Sequence, residues 1–530
     1  MPARKITINK CTNCLPYAAI APRTANFVVA ADDATDEQKD QADYICDAVQ
    51  DEVELQAALD AVPATGGTVI LLGAQFNITN PGSGNGLTVP KNNTTLWSPT
   101  FAAISGEVVF GKRVINIDAD YARLANLKVE QTGTVWDEVG DAIGFAANVV
   151  NPVLDGLYLV TTSGYYAVIG DAGAVDALIN NCYCERDIQS DDSTCENWRV
   201  LNCKVDNWVT FTGGKSVVMN SVVPKIGIWG DYCWIQGNKG SRLSIEGNYN
   251  YAIGNVLLDS APYEAMYLQG NYNYAIGNYT KTGVAYGYGS GIEVRYGDQC
   301  TLIGNTCVDG NYGILIGSGV DNTRVIGNYC SGHETANIMV GGSTGPLHTV
   351  LIGNYAVSSD HYGIVIQDSA HYTLLTGNTA YNNVDPGIWL ENAQHCVIKG
   401  NRVYNNQVAA HGEGGITLYG NVNYCILEGN KCFDTQGTKT QKYGIDVLNA
   451  NCNDNVILGN DVRSNLTAGI HDAGTGTIIR NNAGYNPVGI ASISVGASPF
   501  THTAGASPET VYVSGGTVTS ITKGGNNFGL

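Results

Sequence analysis

Acidic residues and histidines of this chain recur at fixed positions before a short repeated phrase. The phrase is Gly-Ile followed by one variable residue and an aliphatic one, as in GILI, GIVI, GIWL and GITL. Counting back from its Ile places side chains of successive repeats in shared columns. The columns hold Glu334 and Asp360 at four residues before the Ile, His361, Asp385 and Glu413 at three, and Asp309, His333 and His411 at five.

Carboxyl groups repeated in this way suit the hydrolysis of glycosidic bonds. Retaining glycosidases hold two carboxyl groups about 5 Å apart, and inverting enzymes use about 6.5–9.5 Å. Stacked strands lie about 4.8 Å apart, so neighbouring repeats match the first distance and repeats two apart match the second. Glu334 with Asp360 fits the retaining spacing, and Glu334 with Asp385 fits the inverting one. Paired carboxylates also repel, which makes one of them a better proton donor.

We therefore predict a catalytic set within the columns. Solvated loop acids on an acidic protein are the alternative interpretation. A lyase would need a base such as histidine, so elimination also stays open, although acids outnumber basic candidates and favour hydrolysis. The predicted catalytic residues are Glu334, Asp360, Asp385, Glu413, His333 and His361.

Residues that point outward from the repeated strands form a second predicted surface. An exposed Trp389 beside Glu391 suits stacking against a sugar ring next to a carboxylate. Leu315, Met339 and Val365 form an apolar stripe that fits a subunit interface as well as a ligand groove. Glu293 with Arg295 is either part of this surface or a simple ion pair. The predicted substrate-binding residues are Glu293, Arg295, Asp309, Trp389, Glu391, His411 and Tyr419.

A second phrase, a Gly-Asn turn, recurs every 23 to 30 residues and sets the architecture. Each repeat holds at least two short strands and cannot bury its apolar face alone, so the repeats must stack. We expect an all-β, right-handed parallel β-helix in which the turn asparagines are structural. The cysteines at 300, 307, 330, 396, 425 and 432 keep fixed distances from the turn glycine, which predicts buried free thiols. The turn asparagines are Asn255, Asn278, Asn305, Asn328, Asn354, Asn378, Asn401, Asn430 and Asn460.

The two ends of the chain differ from the repeats. Residues 51–61 predict an amphipathic helix, with Leu55, Ala58, Leu59 and Val62 on one face, that caps the open end of the solenoid. The Thr-, Val- and Gly-rich C-terminal stretch predicts a small β module. The expected divisions are an N-terminal extension at 1–45, the β-helix at 46–497 and the C-terminal module at 498–530.

The entry segment DEVELQAALDAVPATGGTVILLGAQFNIT resembles that of pectate-lyase-like right-handed parallel β-helix proteins, especially phage tailspikes and polysaccharide depolymerases. The resemblance implies a homotrimer, a carbohydrate ligand and an attachment or depolymerising role. It supplies no catalytic residues, because the polygalacturonase pattern, the mannuronan epimerase phrase YGFDPH and the pectate lyase arginine signature are not assembled here. A non-catalytic fibre or receptor-binding protein is the alternative, and a polysaccharide lyase or epimerase is a further one.

The composition of the chain limits the classes of binding partner that it can have. A formal net charge of -20 argues against nucleic acid and anionic membrane surfaces. The chain shows no secretory signal and no apolar run long enough to span a membrane, which predicts synthesis in the cytoplasm. The tailspike resemblance implies a virion-associated destination. Cys11 and Cys14 form one CxxC pair, too few ligands for zinc, so we predict neither a metal nor a cofactor.

Overall fold

The computed structural model describes residues 26–79, 84–109, 111–133, 140–162, 166–260, 263–283, 289–408, 412–485, 492–503, 511–524 and 526–527. Short strands dominate it, and those of the solenoid pair in parallel with strands of neighbouring coils. The paired strands form three long stacks that enclose one continuous apolar core. The predicted all-β, right-handed parallel β-helix is confirmed.

Sheet A is the longest stack. Its strands are Asn26–Ala30, Tyr44–Ile45, Gly67–Leu72, Thr94–Trp97, Arg123–Ala125, Val153–Asp155, Leu178–Asn180, Arg199–Leu201, Val217–Met219, Trp234–Gln236, Tyr251–Ile253, Tyr274–Ile276, Thr301–Ile303, Arg324–Ile326, Val350–Ile352, Leu374–Thr376, Val397–Lys399, Ile426–Glu428, Val456–Leu458 and Ile478–Arg480.

Sheet B has two runs joined by bridges through Val222. The first run is Gln75–Ile78, Ala103–Gly106, Lys128–Gln131, Tyr158–Thr161, Tyr183–Cys184 and Lys204–Val205. The second is Lys239–Gly240, Val256–Leu258, Tyr279–Lys281, Thr306–Val308, Tyr329–Ser331, Tyr355–Val357, Thr379–Tyr381, Arg402–Tyr404 and Lys431–Phe433.

Sheet C carries the Gly-Ile phrase. Its strands are Leu87–Val89, Arg113–Ile117, Asp141–Phe145, Tyr166–Gly170, Asp187–Ser190, Trp208–Phe211, Lys225–Ile228, Arg242–Ile245, Met266–Leu268, Ser290–Val294, Tyr312–Ile316, Ala336–Val340, Tyr362–Ile366, Ile388–Glu391, Gly414–Tyr419, Tyr443–Val447 and Ala468–Asp472.

In the Gly-Asn turns, which follow the sheet A strands from Trp234–Gln236 to Val456–Leu458, the two residues have different structural roles. The glycine adopts the left-handed conformation, as at Gly327 with a φ of 62°, where a side chain would be strained. The asparagine that follows is buried and forms a ladder with its neighbours. The Asn328 side-chain amide donates to the Leu302 carbonyl and to Asn354 Oδ1, both at 3.0 Å. The predicted structural role of the asparagines is therefore confirmed. In the Gly-Asn turns glycine takes the left-handed backbone, whereas in earlier coils asparagines such as Asn126 and Asn202 take it.

The cysteines follow the prediction as well. Within the described residues, thirteen cysteines are free and buried, including all six predicted to line the core. Cys307 pairs in register with Cys330 on the next coil, so these thiols occupy inward columns like the aliphatic residues around them. They act as small apolar side chains of the core.

A helix closes the N-terminal part of the solenoid. It spans Glu52–Ala61, one residue shorter than expected, and its Leu55, Ala58 and Leu59 join the main core together with Val62. A second helix, Asp36–Lys39, is capped by Thr35. No helix among the described residues is long and apolar enough to cross a membrane.

The structural divisions differ from the expected ones. Strand Asn26–Ala30 pairs along its length with Gly67–Leu72, so part of the predicted extension belongs to sheet A. The chain divides after Tyr485 into two compact units, earlier than the expected division after 497. In the second unit, Thr522–Lys523 and Asn526–Asn527 form an antiparallel pair.

Candidate functional site

The outer face of sheet C is where the chemistry-bearing residues collect. Its central column runs through neighbouring strands in strict register, as the sequence predicted. Successive members are Ser244, Tyr267, Glu293, Leu315, Met339, Val365, Trp389, Thr417, Asp446 and His471. A flanking column before it and another after it complete the face. Along the central column the residue type changes at almost every coil, in contrast with the uniform interior.

Towards the C-terminal end of this face lies a group that we call the aromatic–carboxylate cluster, formed by Tyr362, Asp385, Trp389, Glu391, Glu413 and Tyr419. The Trp389 indole contacts the Tyr362 ring at 5.3 Å and the Tyr419 ring at 5.4 Å between centroids. Its N–H donates to Glu391 Oε2 at 3.2 Å. The ring is only 8% exposed, so the prediction of an exposed Trp389 was wrong: its neighbours Tyr362 and Val365 cover it. Tyr419 is the exposed aromatic here.

Asp385 is the most enclosed carboxylate of the cluster. Its Oδ2 lies 2.8 Å from Nδ1 of His361, which is exposed and sits one coil earlier. The backbone N–H of Asp385 donates to the His361 carbonyl, which confirms their predicted stacking. A charged Asp385 and a protonated His361 would attract one another, and the neutral imidazole would still donate through Nδ1.

Glu413 does not stack directly on Asp385. The chain inserts extra residues after Tyr404, and Gln407 takes the stacked place, donating its backbone N–H to the Asp385 carbonyl. Glu413 joins the cluster through its side chain, because Gln407 Nε2 donates to Glu413 Oε2 at 2.9 Å. The predicted three-coil column is therefore corrected to His361, Asp385 and Gln407, with Glu413 attached laterally.

The Tyr362 phenol connects the cluster electrostatically. Burial, followed by the charges of Asp385, Glu413 and Glu391, raises the pKa of Tyr362 to about 12. A phenol with this pKa stays protonated at neutral pH and donates a hydrogen bond to whatever oxygen approaches it. The charges of carboxylates from two neighbouring coils thus act on the same phenol, that of Tyr362.

A second acid–imidazole contact extends the face by two coils. His471 Nδ1 lies 2.8 Å from Asp446 Oδ1, and the His471 ring stacks on Tyr443 at 4.9 Å. Burial raises the pKa of Asp446, and its Oδ2 has no hydrogen-bond partner among the described residues. Sequence reasoning missed His471, which the GIHD phrase puts in the same column as Asp446.

A buried charge network lies on the same face towards the N-terminal side. Glu293 is 2% exposed and lies 2.6 Å from Arg295, while Glu264 lies 3.3 Å from Arg242. Burial, opposed by the charge of Arg295 and reinforced by that of Glu264, raises the pKa of Glu293 to about 7. The ion-pair interpretation of Glu293 and Arg295 is confirmed; Glu264 and Arg242 were missed because no repeated phrase marks them.

The remaining predicted residues divide by position. His333 is fully buried, its Nδ1 bonds to Asn337 Oδ1 at 2.7 Å, and burial lowers its pKa to about 4. This enclosure corrects the prediction of a catalytic His333, since a substrate at the surface cannot reach it. Glu334 is half-buried and Asp360 exposed, on neighbouring coils as predicted. Asp309 pairs with Lys281 at 3.6 Å. His411, like Cys11 and Cys14, lies outside the described residues.

The described residues also bear on metal binding. Among them, no group of three or more His, Cys, Asp or Glu side chains is arranged to hold a metal ion.

Two family models match the chain. The model described as "Right handed beta helix region" matches residues 347–502, and the one described as "Periplasmic copper-binding protein (NosD)" matches residues 240–423. Both overlap the stacked coils of sheets A, B and C. The match to the right-handed β-helix model agrees with the parallel β-helix fold of these coils. No curated protein sequence matches this β-helix protein.

Solved structures similar to this β-helix include an epimerase module and a phage tailspike. The Azotobacter vinelandii mannuronan C-5 epimerase AlgE4 A-module is 14% identical, with coverage of 81% of this chain and 95% of the other and a TM-score of 0.31. A tailspike protein of E. coli bacteriophage HK620, in complex with a pentasaccharide, is 14% identical, with coverage of 81% and 76% and a TM-score of 0.38. These values are too low to transfer an activity.

Proposed function

We propose that the outer face of sheet C binds a polysaccharide and that the aromatic–carboxylate cluster hydrolyses it. The observation that carries this proposal is the grouping of the rings of Tyr362, Trp389 and Tyr419 with carboxylates, among them Glu391, which accepts from the Trp389 indole, and Asp385 and Glu413, whose charges act on Tyr362. Aromatic rings stack against sugar faces, and carboxyl groups supply the acid, base or nucleophile for cleavage of the glycosidic bond.

The chemistry of the substrate follows from the charge of the cluster, which is dominated by carboxylates. A uronate would be repelled unless a cation neutralised it, whereas a neutral sugar presents hydroxyl groups that donate to these oxygens. Elimination from a uronate needs that neutralisation as well as a base. The cluster therefore favours hydrolysis of a neutral glycan over a lyase or epimerase reaction.

Asp385 and Glu413 are the carboxyl pair that we assign to the reaction. They come from neighbouring coils and are linked through Gln407, whose backbone N–H donates to the Asp385 carbonyl and whose side chain donates to Glu413. His361 holds Asp385 by its 2.8 Å contact and Gln407 holds Glu413, so both carboxylates are oriented by neighbours. The Tyr362 hydroxyl donates a hydrogen bond to the bound sugar.

Measurement of reducing ends and of unsaturated uronates after incubation with a panel of neutral and uronic-acid polysaccharides tests the proposal. We expect reducing ends without unsaturated products from a neutral glycan, and a loss of about 100-fold or more in Asp385→Asn and Glu413→Gln. Asp368→Asn is the matched control, because Asp368 is an exposed turn acid outside the cluster. Full cleavage by both cluster variants would contradict the assignment.

A non-catalytic receptor-binding role is the second candidate. The enclosure of Asp385 and Trp389 favours it, since both are nearly covered by neighbouring side chains. It predicts glycan binding without turnover. A tailspike-like homotrimer is part of either proposal, and light scattering should give three times the 56.1 kDa chain mass; the mass of a single chain would exclude it.

A further inference from the structure

A cleft of about 480 Å³ opens on the outer face of sheet C, far from the aromatic–carboxylate cluster. Seven side chains line it: Asp187, Gln189, Asp191, Trp208, Thr210, Thr212 and Trp229. They come from three neighbouring strands of the sheet or the residues just after them. The strand before Trp229 and the strand of Trp389 are seven coils apart, or about 34 Å along the axis.

The Trp229 indole reaches over Gly227, a residue of the strand Lys225–Ile228 that has no side chain. Gly227 occupies the central column, and a Cβ built there would lie 3.1 Å from two ring atoms of Trp229. Any larger residue would push the indole away from the backbone. The ring is 43% exposed, so it presents apolar area towards the cleft.

Trp208 forms another aromatic wall. The Lys225 ammonium lies 5.2 Å from the centroid of the Trp208 ring. The backbone N–H of Trp208 donates to Asp187 Oδ1 at 3.1 Å. Burial raises the pKa of Asp187, which shows that its carboxyl group is partly withdrawn from water. The remaining lining groups are a carboxylate, an amide and hydroxyls. Gln189 Nε2 donates to Asp191 Oδ1 at 3.0 Å.

We propose that this cleft is a second saccharide-binding site, separate from the aromatic–carboxylate cluster and selective for neutral sugars. Two indoles supply stacking surfaces, and the carboxylates, amide and hydroxyls accept or donate hydrogen bonds to sugar hydroxyl groups. Two carboxylates at the rim disfavour a uronate or sulfated chain. The proposal deepens the proposed function: a long glycan lying along the axis contacts both sites.

The apolar stripe separates the two sites. Leu315, Met339 and Val365 lie between Glu293 and Trp389 on the central column, and their side chains offer few hydrogen bonds. Two polar, aromatic sites with an apolar spacer bind a long chain through two anchors. The second contact then becomes intramolecular and raises the apparent affinity without any new contact at the first site.

Binding to an array of neutral, amino-sugar and uronic-acid oligosaccharides tests the cleft directly. The proteins are the full chain, Trp229→Ala, Trp208→Ala and Trp234→Ala. Trp234 is the matched control, because its ring is 38% exposed on sheet A. We expect the full chain to bind neutral oligosaccharides, the two cleft variants to lose about tenfold in affinity, and the control to match the full chain.

The same array separates this inference from the proposed function. Asp385→Asn abolishes turnover in the proposed function but leaves cleft binding unchanged. The inference is overturned if no neutral saccharide binds the full chain, if both cleft variants bind like the full chain, or if Trp229→Ala alters subunit assembly instead of glycan affinity.

Discussion

The interior asparagine ladder and the outer face of sheet C are built on the same coils but follow opposite rules. The ladder repeats one side chain with one hydrogen-bond pattern: each amide donates to the next Oδ1, as from Asn305 to Asn328 and from Asn328 to Asn354. The face changes residue type at almost every coil. Uniform positions therefore carry stability, and the variable face is the one to which we assign recognition. The ladder consists of Asn238, Asn255, Asn278, Asn305, Asn328, Asn354, Asn378, Asn401, Asn430, Asn460 and Asn482.

The largest expected effect comes from breaking the ladder. Asn328→Ala removes two donated bonds and leaves the Asn305 backbone N–H and side-chain amide without their shared acceptor. Unsatisfied buried groups cost about 1–3 kcal/mol each, so unfolding should become easier by about 3 kcal/mol. Chemical denaturation measures this. Asn421→Ala, at an exposed position, should change the free energy of unfolding by less than about 0.5 kcal/mol. Equal losses of stability in Asn328→Ala and Asn421→Ala would refute the stabilising role of the ladder.

The next effect concerns recognition without stability. Trp389→Phe keeps an aromatic ring between Tyr362 and Tyr419 but removes the indole donor to Glu391. In an Asp385→Asn background that cannot turn the glycan over, calorimetry should show affinity reduced by about tenfold. Trp234→Phe on sheet A is the control and should leave affinity unchanged. A larger loss in the control would place the glycan on sheet A.

A pH-dependent effect should appear at Glu293. Its folded-state pKa of about 7 lies above the ordinary value of 4.5, so the folded chain holds a proton that the unfolded chain releases between these values. The free energy of unfolding should therefore fall as the pH rises from about 4.5 through about 7. Glu293→Gln should make this fall smaller in thermal melts taken across the window, while Asp141, whose pKa burial raises to about 6, and His333 keep their own contributions.

Glu428→Gln provides the control for the Glu293 melts. Glu428 pairs with Lys399 at 2.9 Å on the exposed side of sheet A. Its removal should leave the slope of stability with pH in this window as it is in the parent chain. If the free energy of unfolding of Glu293→Gln falls with pH as steeply as that of the parent chain, groups other than Glu293 cause the fall.

The smallest effect is expected from that surface pair itself. Both side chains of Lys399 and Glu428 are exposed, so water screens their attraction. Lys399→Ala should change the free energy of unfolding by less than about 1 kcal/mol and should not alter glycan binding. A large loss of affinity would mean that sheet A, and not sheet C, faces the ligand.

The fold was predictable because its determinants repeat. The Gly-Asn turn and the Gly-Ile phrase fix the backbone at each coil, and the cysteine columns follow from fixed distances to the turn. The capping helix was also predictable, since Leu55 and Leu59 show helical spacing at the end of the solenoid. Counting along a repeat reproduces register wherever the coils have equal length.

The site was predictable only where the coils keep that length. The insertion after Tyr404 displaces Glu413 from the column above Asp385 and puts Gln407 there. Exposure also depends on neighbouring coils: Trp389 is covered by Tyr362, and His333 is enclosed although its column reaches the surface. Glu264 and Trp229 belong to no repeated phrase, so only the folded chain reveals their place on the face.

The central claim is that the outer face of sheet C holds the glycan. Crystals of Asp385→Asn soaked with a neutral oligosaccharide that the parent chain cleaves test it most directly. We predict sugar density across the aromatic–carboxylate cluster, with a glycosidic oxygen near residue 385 and Glu413. Density on the outer face of sheet A or B, with none on sheet C, would contradict the account.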